Sequence, residues 1–313
     1  MKSLYDPASP QRGLHALGLH ESRFPLETRA QAPSIVELWK KSKTMTWDPC
    51  DIAYATLDRS KFSQEQLDAA RLCWSRRAWT EYTGIIESPA MLIRMSLDGK
   101  APIEAKFVLA AKVVEEARHC EASYMLADAL GGYVQEPPPH DAISRMVVAG
   151  FRDRMAFNPD VSTEAAMAGW HCISEGVAVD IFLARYRWTE EPVTKEVLRL
   201  ILLDEVRHVQ LGWDYLEHRI PQMTKAEIDA VEAVAVDIME NVEMKGFHSM
   251  SLLDPSVESA LRDAEEIAGH AKLGFCPAAM EHQAFLKSIQ DLRRKFAKLG
   301  IRIPVYPEIE QAA

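Results

Sequence analysis

Glu115-Glu116-Ala117-Arg118-His119 and Asp204-Glu205-Val206-Arg207-His208 are two versions of one pentapeptide. Each sets a Glu and a His three residues apart, so that on a helix both side chains leave the same side within one turn. A lone Glu-x-x-His carries little information, because such a pair on an exposed helix face is ordinarily solvated. Two copies of the longer acid-Glu-x-Arg-His form in one chain point to metal ligation.

Working outward, apolar residues recur with helical periodicity almost everywhere from Ser63 onward. No alternating run is long enough for a strand, so the chain is expected to be all-α. Gly and Pro punctuate it. Asp98-Gly99-Lys100-Ala101-Pro102 ends a first long helix over 64–96, and Gly131-Gly132 ends a second over 102–130. A crossover opening with Pro137-Pro138-Pro139 holds a shorter helix over 142–156. Asn158-Pro159-Asp160 starts a third long helix to 188, and Thr189-Glu190-Glu191-Pro192 starts a fourth to 219. Further helices are expected at 225–251, 255–271 and 277–299. Residues 1–32, with Pro7, Pro10, Pro25 and Pro33 close behind, read as an arm that contacts a partner, followed by a short helix over 34–41. With no linker in view, the reading is one domain: arm and short helix over 1–62, a core over 63–220, and additional helices over 221–313 packed on the same body.

The breaks set the level of the acidic residues. Glu116 lies 14 residues past Pro102, about 21 Å from the bend at ~1.5 Å per residue. Glu81, 17 residues before Asp98, falls within about one turn of the same height on the antiparallel neighbour. The second hairpin repeats the pattern, with Glu205 placed 13 residues after Pro192 and Glu175 placed 14 before Thr189. A four-helix bundle with a long crossover between its second and third helices then brings Glu81, Glu116, His119, Glu175, Glu205 and His208 together in its interior. Four buried carboxylates without partners would cost several kcal/mol each, whereas two divalent cations cancel them. Neutral imidazole with carboxylate oxygens suits ferrous or manganous ions better than a structural zinc. Two iron ions are expected, with a mixed manganese and iron pair as the alternative.

Composition narrows the partners. The 313 residues, 48% apolar, can bury a substantial core, and the net charge of −10 argues against a nucleic-acid surface. Cys50, Cys73, Cys120, Cys172 and Cys276 are widely spaced and form no Cys-x-x-Cys pair, which fits a reducing compartment. No apolar run approaches the ~20 residues of a membrane span, and the start lacks the apolar stretch of a signal peptide. A cytoplasmic protein is expected.

On a helical wheel Glu115 and Asp204 are placed to hydrogen-bond an imidazole N–H, whereas Arg118 and Arg207 are not ligands. One or two turns beyond the glutamates, Gly84, Ile85, Ala178, Val179 and Phe182 are expected to line a largely apolar substrate cavity. Gly84 costs ~1 kcal/mol in a helix relative to Ala, so it makes room for something or serves close packing. His171, four residues before Glu175, shares that residue's face; a hydrogen-bonded core histidine is expected there, with a seventh ligand as the alternative. Tyr82, Tyr124 and Trp170 lie near the ligands in sequence, and packing is their expected role.

The twin motifs with their preceding glutamates resemble the ferritin-like superfamily of ribonucleotide reductase small subunits, bacterial multicomponent monooxygenases, soluble acyl carrier protein desaturases and ribonucleotide-reductase-like ligand-binding oxidases. The resemblance covers about 64–219. Chain length, Trp47-Asp48-Pro49-Cys50-Asp51-Ile52 and Glu175-Gly176 resemble the ligand-binding oxidases most. It implies a ferritin-like bundle, the same six ligands, and a dioxygen-activating diiron oxygenase or oxidase acting on an apolar or amine-bearing small molecule. It also implies an external reductase or ferredoxin and a homodimer. A reductase-subunit-like or ferritin-like iron and peroxide handling role is the alternative. The departures matter as well. The Val and Tyr that become cross-linked in those oxidases correspond to Gly84 and Trp170 here, so that cross-link cannot form. The radical Tyr of the reductase subunits corresponds to Ser123. The Thr positions of monooxygenases and desaturases carry Val179 and Ala178, and Ile201 stands where an oxygenase with a third His would have it.

Overall fold

The computed structural model describes residues 28, 31–135, 155–253 and 259–310. Among these residues every regular element is helical. A short α1 (Pro33–Thr44) precedes three 3-10 turns and the long α2 (Gln64–Leu97). Ser63 starts α2 with a capping box: its hydroxyl accepts from the Gln66 N–H at 3.2 Å, and the Gln66 side chain accepts from the Ser63 N–H at 2.9 Å. Asp98 ends α2, and Pro102 leads into α3 (Ile103–Gly131), which Gly132 terminates at φ 114°. The two lie against each other along their length.

The third helix departs from the sequence expectation. Asn158 makes a turn, its side chain accepting from the Asp160 N–H at 2.9 Å, and the helix starts only at α4 (Thr163–Met167), capped by Ser162. A π-helical stretch, Ala168–Ser174, then joins α4 to α5 (Glu175–Trp188). The wider π turn shifts the phase of the apolar pattern within one continuous run, and a reading for a single helical period does not resolve it. Gly212 lets the neighbouring helix approach this stretch: a Cβ there would stand 2.7 Å from the His171 Cβ and 2.9 Å from the Cys172 Sγ. That neighbour, α6 (Pro192–Arg219), is capped by Glu191, which accepts from the Thr194 N–H at 2.6 Å.

α7 (Lys225–Asn241) ends ten residues before the expected 251, where 3-10 turns and left-handed Gly246 at φ 87° redirect the chain. α8 (Ser259–His270), α9 (Ala278–Lys298) and α10 (Pro307–Glu310) complete the chain, with α8 against α2 and α9 against α5. Arg185 of α5 ties both on, donating to Glu281 at 2.7 Å and to Glu265 at 3.3 Å. All of the expected arm over 1–32 but residues 28, 31 and 32, and all of the expected helix over 142–156 but residues 155 and 156, fall outside the described residues. No helix among the described residues is long and apolar enough to cross a membrane.

The bundle core consists of two apolar clusters. Following α2, Leu67, Ala70 and Trp74 belong to one cluster and Met91 and Met95 to the other. α3 passes from Val108 and Leu109 to Leu126 and Leu130, and α6 from Val197 and Ile201 to Leu211 and Tyr215. In each case the charged residues singled out in the sequence fall between the two, so one polar layer crosses the bundle interior.

Candidate metal centre

Glu81 comes from α2, Glu116 and His119 from α3, Glu175 from the first turn of α5, and Glu205 and His208 from α6. All six are buried. The two motif glutamates are shared. Glu116 turns Oε2 toward His119 Nδ1 and Oε1 toward His208 Nδ1, each at 3.7 Å. Glu205 does the same with Oε1 at 3.4 Å and Oε2 at 3.2 Å. The other two glutamates are not shared. Glu81 Oε2 lies 3.7 Å from His119 Nδ1, and Glu175 Oε2 lies 3.6 Å from His208 Nδ1. Donor atoms of Glu81, Glu116, His119 and Glu205 all lie within 4.8 Å of one another, as do those of Glu116, Glu175 and His208. The result is two adjoining half-sites bridged by two carboxylates.

Donor chemistry fits a pair of divalent ions, since the set is oxygen and imidazole nitrogen with no thiolate. His119 Nδ1 and Glu175 Oε2 are buried and have no hydrogen-bond partner, a costly state that a bound cation would relieve.

Behind the imidazoles the two motifs cross over. His208 of α6 turns Nε2 to Glu115 of α3 at 2.8 Å, while His119 of α3 turns Nε2 to Asp204 of α6 at 3.2 Å. Each acid therefore serves the histidine of the other motif. This fixes each ring with Nδ1 toward the centre. Arg207 bonds both acids, reaching Glu115 Oε1 at 2.8 Å and also Asp204 Oδ1. Arg118 reaches Asp204 Oδ2 at 3.3 Å. Two acids and two guanidiniums make this outer layer electrically self-contained. Trp47 completes it: its indole N–H donates to Asp204 Oδ2 at 2.9 Å, and Arg118 lies over its ring at 5.4 Å. That contact explains why the segment Trp47-Asp48-Pro49-Cys50, ahead of the bundle, bears on the site.

Electrostatics follow from burial opposed by these contacts. Burial disfavours charge on His119, but the Asp204 hydrogen bond at Nε2 and the Glu116, Glu205 and Glu81 carboxylates facing Nδ1 hold its pKa well above the ordinary value. For His208, burial and the nearby Lys112 ammonium press downward, yet Glu115 and Glu205 carry it up to about 9. Glu116 would rise through burial, but Lys112 and the imidazoles bring it down to about 2.

Gly84 has a defined purpose. A Cβ on it would meet Glu116 Oε2 at 2.7 Å and Cδ at 2.8 Å, so the missing side chain is what admits the bridging carboxylate. His171 Nδ1 lies 3.2 Å from the His208 carbonyl oxygen, to which it donates, and 3.8 Å from Glu175 Oε2. Burial and the charges of Lys112 and His208 keep its pKa well below normal, so it is a neutral core histidine turned to the backbone.

Beside the centre lies a cavity of about 100 Å³. Gly84, Ala178 and Phe182 line it as expected, but Ile85 and Val179 do not. Its wall is also less apolar than expected. Arg77, Thr80, Thr83, Glu87 and Ser174 share it with Trp170 and Phe247. Arg77 and Glu87 come one turn before Glu81 and one turn after Gly84, Thr80 and Thr83 directly before those two residues, and Ser174 directly before Glu175, on faces that apolar periodicity does not mark. Tyr82 and Tyr124 are half exposed and lie outside this lining, and Tyr124 packs against Tyr133 with ring centroids 4.8 Å apart and planes tilted by 40°.

Sequence reasoning missed Lys112. It lies four residues before Glu116, on the same helical face, which was the available signal. It is 2% exposed, and its ammonium sits 2.9 Å from Glu116 Oε1, in direct contact with Glu175 Oε1, and 3.4 Å from His208 Nδ1. Those three residues are the ones that make up the second half-site.

No protein-family model matches the chain, and no curated protein matches it. Solved structures do. An R2-like ligand-binding oxidase with an aerobically reconstituted metal cofactor after photoconversion superposes with a TM-score of 0.66 at 15% identity, over 84% of this chain and 93% of that one. A point variant of an R2-like ligand-binding oxidase with an aerobically reconstituted Mn/Fe cofactor gives a TM-score of 0.66 with the same identity and coverage. The chain shares their fold, a ferritin-like helical bundle.

Proposed function

We propose that this chain is a dioxygen-activating oxidoreductase with a dinuclear metal centre held by Glu81, Glu116, His119, Glu175, Glu205 and His208. The observation that carries the reading is the sharing of Glu116 and Glu205, each offering one oxygen to either imidazole inside a buried, cross-braced layer. The likeness in fold to oxidases described with Mn/Fe cofactors supports it. When bound, a redox-active pair of iron ions, or manganese with iron, would supply electrons to dioxygen, which no side chain here can do. The protein's own part is to hold both imidazoles by Nε2 so that Nδ1 faces inward, to balance charge, and to keep bulk water from the centre.

The substrate is a small organic molecule, apolar or amine-bearing. Trp170, Phe182 and Phe247 would receive an apolar body, and Thr80, Thr83 and Glu87 a polar or amine head. A tyrosine for radical storage is absent from the lining, and Ser123 occupies the position where the resemblance would place one, which weighs against a reductase-subunit role. Electrons would come from a separate reductase or ferredoxin. A homodimer is the expected assembly, for which the half-exposed Tyr82, Ile86 and Ile93 along α2 provide an apolar face.

The test is dioxygen uptake by iron-loaded protein with reductant and a panel of small amines and hydrocarbons. Uptake coupled to loss of one substrate class is expected, and Glu175→Ala should abolish it. Uptake no faster than that of the metal-free chain across the panel would overturn the reading. Loading well beyond two ions per chain would indicate storage instead.

A further inference from the structure

We infer that Lys112 is a built-in counter-cation for the His208 half of the centre: its ammonium occupies the place of the second metal ion, so the two ions enter in a fixed order and the second must displace it. The inference rests on the dinuclear reading and adds an order and a controlling residue to it.

Geometry supplies the first argument. Each half-site has a cation of the protein's own beside it, but only one has it among its donors: Arg77 pairs with Glu81 through Oε1, while Oε2 is the oxygen that faces His119. The ammonium lies among Glu116, Glu175 and His208, while the His119 half, with Glu81, Glu116, His119 and Glu205, keeps the Nδ1 of His119 without a hydrogen-bond partner. An incoming divalent ion meets the unpartnered Nδ1 in the His119 half and, in the other, an ammonium already set among the donors, although Glu175 Oε2 there is also unpartnered.

Charge supplies the second. The four inner carboxylates face two fixed cations, Arg77, paired with Glu81, and Lys112. The acids and guanidiniums of the outer layer cancel one another, so they do not alter the count. One divalent ion with neutral imidazoles therefore brings the inner layer to neutrality. A second would leave it two charges positive in a buried, poorly solvating space unless the ammonium withdraws or an anion enters. Withdrawal has a route. Lys112 and Glu87 both line the adjoining cavity, and the four-carbon stem of a lysine is long and flexible enough to redirect its ammonium.

The experiment is titration of the metal-free, full-length chain with Mn²⁺, following bound ions by equilibrium dialysis and magnetic coupling by electron paramagnetic resonance. The wild-type chain should bind its first ion with an uncoupled six-line signal and its second at least tenfold more weakly, with a coupled spectrum appearing only beyond one equivalent. In Lys112→Met the gap should fall below threefold, with coupling visible from the first additions. Lys112→Gln is the fallback if the Met variant does not fold, and the wild-type titration carries the test even without either. Two wild-type affinities within threefold of each other, unchanged in the variant, would overturn the inference while leaving the dinuclear reading intact. A wild-type chain that stops at one ion while Lys112→Met takes two would support the inference and retire the dinuclear reading for the unmodified chain. Failure of both proteins to bind Mn²⁺ would remove both.

Discussion

The two halves of the centre are nearly equivalent in their ligands and quite different in what surrounds them. Each has one histidine, one unshared glutamate and a share in Glu116 and Glu205. The His119 half is backed by Asp204, which accepts from His119, Trp47, Arg118 and Arg207. Glu115, behind the His208 half, has His208 and Arg207 as its close partners, with Arg118 farther off at 3.7 Å, and Lys112 fills the half-site itself. A repeated motif thus produces a symmetric ligand set, and asymmetry enters only through residues that are not ligands. Two chemically similar positions can in this way be given different affinities without altering a single donor atom.

Removing a shared ligand should erase the distinction altogether. Glu116→Ala takes one oxygen from each half and one partner from Lys112, and both ions should be lost, with affinities down by more than about 100-fold, beyond the range typical of outer-layer changes. Retention of two ions by purified Glu116→Ala, measured by elemental analysis, would sink the centre as described here.

Acidity acts on both halves together. In the metal-free protein His208 has a pKa of about 9, raised from 6.5, and that of His119 is also well above normal. The contribution of His208 to stability is fully present below about pH 6.5 and is lost as pH rises through about 9, and that of His119 is likewise present at low pH and lost above the ordinary imidazole range. Metal binding must expel those protons, so affinity should rise by about tenfold per pH unit for each proton released between pH 7 and 9. Calorimetry in buffers of different ionisation enthalpy should show this release; a proton count of zero would contradict the assignment of Nδ1 as the inward donor.

The outer layer gives the sharpest comparison. Asp204→Asn should weaken the first ion and Glu115→Gln the second, each by about 10- to 100-fold, with Asp204→Asn the larger because more donors converge on it. Equal effects on both ions from either variant would mean that the crossed pairing of acids and histidines does not separate the halves.

Gly84→Ala should have a smaller and divided effect. The helix gains about 1 kcal/mol of intrinsic preference, while the new Cβ displaces the flexible end of Glu116. The metal-free chain should therefore melt at the same temperature or slightly higher, whereas both ions bind several-fold more weakly. Trp47→Phe should be the mildest for the ions: the lost hydrogen bond to a buried carboxylate, about 1.5–3 kcal/mol at most, should appear in the melting temperature, while His119, Arg118 and Arg207 still hold Asp204 in place for the first ion.

Much of the fold could be read in advance, because helix starts and stops are local chemistry. The onset of helical periodicity at Ser63, Asp98 through Pro102, Gly131-Gly132 and Pro192 marked their helix ends to within a residue or so of where they fall. The ligand layer could be read because equal distances from two bends put Glu81 with Glu116 and Glu175 with Glu205. The third helix could not, since the π stretch over Ala168–Ser174 depends on how closely Gly212 lets α6 approach. The end of α7 was also missed, its break at Gly246 reading as one more glycine in a periodic run.

Linear order by itself determined which residues would meet: two Glu-x-x-His turns and two lone glutamates, at matched heights along antiparallel helices of fixed rise. Only tertiary packing decided how they are used. Which acid serves which histidine, that Gly84 admits Glu116, and that Lys112 enters one half of the centre are contacts between different helices or choices among rotamers. Helical periodicity fixes a direction around one axis; it says nothing of what stands across the gap, where a few ångströms decide whether a charge meets a partner.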